Sequence, residues 1–156
     1  MSAALIEEIT VALNSMKQTG KADPSMVNSL DRLANAFKES QEKWLTSRNT
    51  KVSIYFYYAA RNAGLVVSRM KERFLSSNAV DENPKIAEES LQVVGLVREL
   101  SDLTQNEKPD ESITKLIIER VKQLRAAAID AKLIQTQEKE LEDVDKLLTY
   151  LSKLRR

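Results

Sequence analysis

The sequence predicts an all-α protein: an antiparallel bundle of five or six helices in a single domain covering residues 1–156. Three observations carry this. Only three Gly and three Pro occur in 156 residues, leaving little material for tight turns, while strong helix formers recur throughout. Every periodic apolar segment repeats at helical spacing, and the breaks between segments are short. At this length roughly 70% of the unfolded chain's surface can be buried in one core.

The elements follow in order. Leu5, Ile9, Ala12, Leu13 and Met16 define a first helix from about Ala3 to Gln18, ending before Thr19-Gly20. Asp23-Pro24 restarts the chain: the Asp carboxylate can accept from free first-turn amides, and Pro loses nothing at the next position. A stripe of Met26, Leu30, Leu33, Ala34, Phe37 and Trp44 carries helix two from Pro24 to about Leu45. Helix three, about Lys51 to Leu75, holds a complete seam of Val52, Phe56, Ala59, Ala63, Val66, Met70 and Phe74 at alternating spacings of four and three. Asn83-Pro84 repeats the cap grammar and opens helix four, which runs to about Thr104 on Ile86, Val93, Val97 and Leu100. After the QNEKPDES loop the seam of residues 113–156 changes register. Ile117, Val121, Leu124, Ala128 and Ala131 obey one phase, and Leu141, Val144, Leu148 and Leu151 another. One long bent helix, or two helices broken near Thr136, would satisfy that shift. Phe37, Phe56, Val66, Met70, Val93, Val97 and Leu124 are expected in the core.

Composition narrows the chemistry. With no Cys and no His there is no thiolate, no imidazole base and no nitrogen ligand, so zinc sites and His-dependent triads are excluded. Gly20, Gly64 and Gly95 stand alone, so no glycine-rich phosphate loop forms. No run of 18 apolar residues spans a bilayer, and the amino terminus lacks the basic flank of a secretory signal. A cytoplasmic or nuclear protein with no membrane association is expected. Neither a cofactor nor a metal is expected.

The net charge is +1, but it is unevenly spread. Blocks 1–39, 40–75, 76–114 and 115–156 carry −1, +5, −6 and +3. The acidic block includes Glu88-Glu89 followed by Glu99-x-x-Asp102. This is similar to the Glu-Glu-x-x-Glu and Glu-x-x-Asp pattern of MazG-type all-helical nucleotide pyrophosphohydrolases, which would imply magnesium-dependent hydrolysis. The sequence departs from that pattern at Gln92, where the third Glu would stand, and the interval is short. A solvated acidic face is therefore expected there, and likewise for Glu138, Glu140, Glu142, Asp143 and Asp145.

The basic block surrounds the aromatic run Ile54 to Tyr58 with cations. Arg48, Lys51, Tyr55, Tyr58, Arg61, Arg69, Lys71 and Arg73 are the candidate binding residues: guanidinium groups could contact phosphates while a tyrosine stacks on a base. The bland alternative has the tyrosines packing between helices with their hydroxyls outward, and the basic face docking on the acidic block 76–114 of the same chain.

Two function classes follow. The first is a non-enzymatic interaction or scaffold module, a subunit of a larger complex, that binds a protein partner or self-associates through the C-terminal helix. The second is a small helical subunit of a nucleoprotein complex, contacting single-stranded RNA or DNA through helix three. In size and class the chain is similar to the small helical subunits of CRISPR effector complexes, without a motif that identifies them.

Overall fold

The computed structural model describes residues 2–21, 23–47, 50–76, 83–106 and 111–154. Among them there are six α-helices and no strand: α1 (Ser2–Thr19), α2 (Pro24–Leu45), α3 (Thr50–Ser76), α4 (Asn83–Asn106), α5 (Glu111–Asp130) and α6 (Glu142–Leu154). A short 3-10 turn, Lys139–Leu141, precedes α6.

The ends obey local chemistry. At the start of α2 the Asp23 carboxylate accepts from the Ser25 amide at 2.9 Å and the Ser25 hydroxyl at 2.7 Å. These hydrogen bonds hold its pKa below the ordinary carboxylate value. Gly20 closes α1 at φ 73°, its amide reaching the Met16 carbonyl at 2.8 Å, a left-handed cap that favours a residue without Cβ.

Helix α3 is the centre of the bundle. It packs most extensively on α2 and also meets α4, α5 and α6, while α1 lies across α4 and α2. This position explains why α3 is apolar most of the way round. All seven seam residues are buried, and so are the seven predicted core residues. The Trp44 and Phe56 rings stack at 4.5 Å between centroids and tie α2 to α3.

The α2–α3 contact is close because of Gly64. A Cβ there would meet Phe37 Cβ and Gln41 Nε2, both at 3.2 Å. Gly95, exposed in the middle of α4, would meet nothing within 4 Å. The two glycines therefore respond oppositely to alanine. Gly95→Ala should stabilise by about 1 kcal/mol through helix propensity. At Gly64 the same gain is outweighed by about 1–3 kcal/mol of overpacking against the rigid Phe37 Cβ. Thermal melts should place the first above and the second below the unmodified protein; the same order for both would refute the close approach.

Helix α5 does not continue to the C terminus. It stops at Asp130, six residues before the break expected near Thr136. The Leu133 amide bonds the Ala128 carbonyl at 2.8 Å, and the Lys132 amide bonds the Ile129 carbonyl at 3.0 Å. This pair of bonds reverses the chain, with Lys132 in the left-handed region at φ 60°. Leu133 and Ile134 are then buried beside the reversal, which accounts for the register shift in the sequence. None of the helices among the described residues is long and apolar enough to cross a membrane.

Candidate interaction surface

The sequence left the cations of α3 either open to a partner or docked on the acidic block 76–114. The structure lays the acidic segment of residues 138–143 over Arg61 and Arg69, and among the described residues of the block 76–114 only Glu89 approaches, at 4.0 Å from Arg73. Glu138 is the hub. Its Oε1 accepts from Arg69 Nη2 at 3.0 Å and its Oε2 accepts from the Gln135 amide at 3.1 Å, so a nearly buried carboxylate has a partner on each oxygen. Burial opposes the charge on Arg69, but the hydrogen bond and charge of Glu138, helped by Glu140 at 3.3 Å, outweigh it and raise the guanidinium pKa.

Neighbouring residues extend the same dock. Arg61 Nη2 donates to the Glu140 carbonyl at 2.6 Å and to Asp143 Oδ1 at 3.1 Å. Arg73 donates to the Ala131 carbonyl and sits 4.0 Å from Glu89. Arg125 of α5 donates to Asp145 Oδ2 at 3.0 Å. Beneath these pairs Leu141 is fully buried and Val144 nearly so. The acidic run expected to be a solvated face is therefore divided. Glu138, Glu140, Asp143 and Asp145 pair with α3 and α5, Glu140 and Asp143 while staying mostly exposed, and Glu142 is exposed without such a pair among the described residues.

Tyr55 and Tyr58 lie in the core at 3% and 6% exposure, so in this conformation neither ring offers a face to a base. The physical reason is the position of α3: the face next to the seam meets further helices instead of solvent. On that face Asn62 is also buried, its Nδ2 donating to the Tyr58 carbonyl at 2.8 Å. Arg61, Arg69 and Arg73 are half-buried and engaged as described. Lys71 pairs with Asp31 of α2 at 2.7 Å. The Lys51 side chain and all of Arg48 lie outside the described residues.

Burial pushes the Tyr58 phenol above its ordinary pKa; Arg125 works against that shift and Asp145 adds to it. A raised acid pKa means that the folded state prefers the neutral ring. Its contribution to stability is intact below about pH 10, the unfolded value, and is lost as pH rises through the folded value. Absorbance titration should show a late-ionising phenol that disappears in Tyr58→Phe; an unchanged titration curve would place the ring in solvent.

The carboxylates of α4 do not converge on one another. Glu88 and Asp102 are exposed, Glu89 faces Arg73, and Glu99 pairs with Arg120 of α5 at 3.0 Å. Among the described residues no three acidic groups are placed to share a metal ion. A cleft of about 430 Å³ runs between α2, α3 and the 3-10 turn, over Gly64. Of its charged lining, Asp31 and Lys71 match one another, while Arg61 and Glu140 belong to the C-terminal dock.

The outer face of α6 has a different character. Leu147 and Tyr150 are 40% and 59% exposed. They stand three residues apart and so form one neighbouring pair on the helix surface. Leu148 and Leu151, half-buried, stand between this pair and the core. Among the described residues the other large exposed apolar side chains, Val11, Leu45 and Leu75, belong to three different helices, the scattered pattern normal for any surface. Sequence periodicity found the α6 apolar residues but could not say which of them the bundle covers. It also missed Arg125 and Glu138 as residues that seat the helix, since their partners Asp145 and Arg69 lie 20 and 69 positions away.

Comparison with protein-family models, with curated proteins and with solved structures finds no match for this chain.

Proposed function

We propose that this protein is a non-enzymatic helical interaction module that docks a protein partner on the outer face of α6. The observation carrying this reading is that α6 buries one side through Val144 yet leaves Leu147 and Tyr150 in solvent, on a helix that α3 supports from one side. A central apolar pair with a polar rim of Glu142, Lys146, Thr149 and Lys153 has the composition of a small interface, with an aromatic residue of the type that anchors such contacts.

Quantitative cross-linking of the tagged full chain in its native cells tests the reading. Leu147→Ser with Tyr150→Ser should abolish specific cross-links from α6 while the circular dichroism spectrum and thermal midpoint stay unchanged, because both side chains are exposed. A cross-link pattern indifferent to the double substitution would defeat it.

Support for nucleic-acid binding through α3 is weaker, because Arg61, Arg69 and Arg73 spend hydrogen bonds within the chain and Tyr55 and Tyr58 are buried. Fluorescence anisotropy with a short single-stranded oligonucleotide should stay flat at low ionic strength. A rise that falls steeply with added salt, and falls further when Arg48, Lys51 and Arg69 are replaced by Gln, would restore it.

A further inference from the structure

The charge pattern of α6 narrows the choice of partner. Glu142 opens the helix and Lys153 lies eleven residues later, near its end. Eleven residues complete just over three turns of about 3.6 residues, so the two side chains lie on the same flank, roughly 16 Å apart. Both are exposed, and neither has an ion-pair partner among the described residues. Between them, displaced towards one side, stand Leu147 and Tyr150. The midpoint of the charged pair falls between residues 147 and 148, and that of the apolar pair between 148 and 149. The two midpoints agree to within one residue.

This arrangement is self-complementary under a two-fold rotation. From it we infer that the partner of α6 is a second copy of this chain, with the two α6 helices antiparallel and crossing near Leu148. This rests on the α6 docking face proposed above. Antiparallel pairing brings Leu147 and Tyr150 of one copy against the same residues of the other, and matching flanks then face each other. Glu142 of each copy meets Lys153 of the other, so one sequence pattern supplies two ion pairs. The opposed helix dipoles favour the same orientation, with each acidic N-terminal end near the basic end of its neighbour. In a parallel pair Glu142 would face Glu142 and Lys153 would face Lys153, a like-charge arrangement that two-fold antiparallel docking avoids.

The contact is small. One pair of 13-residue helices falls short of the roughly 1,200–2,000 Å² buried in standard interfaces, so the dimer is weak, with a dissociation constant on the order of 100 μM. Such an association is concentration-dependent and suited to assembly in which the copies are brought together.

Sedimentation equilibrium of the full chain from about 10 μM to 1 mM (a span set by that weak affinity) reads it directly. The weight-average mass should rise towards twice the chain mass, and Leu147→Ser with Tyr150→Ser should hold it at one. Charge reversals then test orientation. Glu142→Lys alone and Lys153→Glu alone should each weaken the dimer about tenfold, since two exposed pairs become two repulsions. An equimolar mixture of these two single variants should recover the association, because each copy then supplies the charge that its partner needs. A monomer at every concentration overturns the inference. So does a dimer insensitive to the α6 substitutions, or a mixture no tighter than its components. If the chain stays monomeric while the cellular cross-links still depend on Leu147 and Tyr150, self-pairing fails and a different protein occupies the face.

Discussion

Phe56→Ala is expected to lower the unfolding free energy by about 3–5 kcal/mol, the range for truncating a fully buried aromatic side chain. Phe56 has no exposed surface and lies on the helix that touches most of the others, so there is little freedom for neighbours to collapse into the space. The stack on Trp44 is lost as well, which withdraws the specific attraction of an aromatic pair in addition to the buried area. For a chain of this length the midpoint of thermal unfolding should fall by about 10–15 °C. Trp44 fluorescence provides a second readout, because its ring loses a stacking partner. An unchanged midpoint with unchanged emission would mean that the α3 seam does not face the core.

Leu141→Ala should have a comparable local effect with a different distribution. Removing a fully buried leucine costs about 2–5 kcal/mol where the site cannot close, and Leu141 is the apolar anchor beneath the C-terminal dock. Apart from the nearly buried Glu138, the ion pairs around it involve half-buried or exposed groups, Asp143 being 69% exposed, and surface pairs of this kind contribute roughly 0–1 kcal/mol each. They cannot replace the leucine. Helix α6 rests mainly on α3, whereas α1 to α5 are mutually packed, so the loss should appear as local release of α6 ahead of global unfolding. Hydrogen exchange should accelerate through residues 142–154 while the interiors of α3 and α5 keep their protection. Uniform acceleration along the whole chain would show α6 to be part of the main cooperative unit. The contrast with Phe56→Ala, where protection falls everywhere, makes the two variants a matched pair.

The fold class and the course of α1 to α4 were readable from the sequence because their causes are local. Apolar spacing of three and four, Asp23-Pro24 and Gly20 act within a turn or two, so a single chain segment contains the whole argument. Even the central position of α3 had a local sign, in apolar residues on more than one face. The reading of that second face stayed open between core and binding surface for a non-local reason. Tyr55 and Tyr58 sit one step round from the seam, and whether such a face meets water depends on how many helices surround it.

What only the tertiary structure decided is which charge meets which. Arg61, Arg69, Arg73 and Arg125 find their acceptors 20 to 82 residues away, and no periodicity encodes a separation of that kind. The turn at Lys132 is the pivot. A lysine in the left-handed region carries little sequence signal, since glycine is the usual marker, yet that reversal lays the acidic segment across the basic helix. By itself the sequence determined the amphipathic repeat of residues 141–151 and the opposite charges at the ends of α6. The packing determined that Leu141 and Val144 face inward while Leu147 and Tyr150 face water, because α3 covers only one side of the last helix.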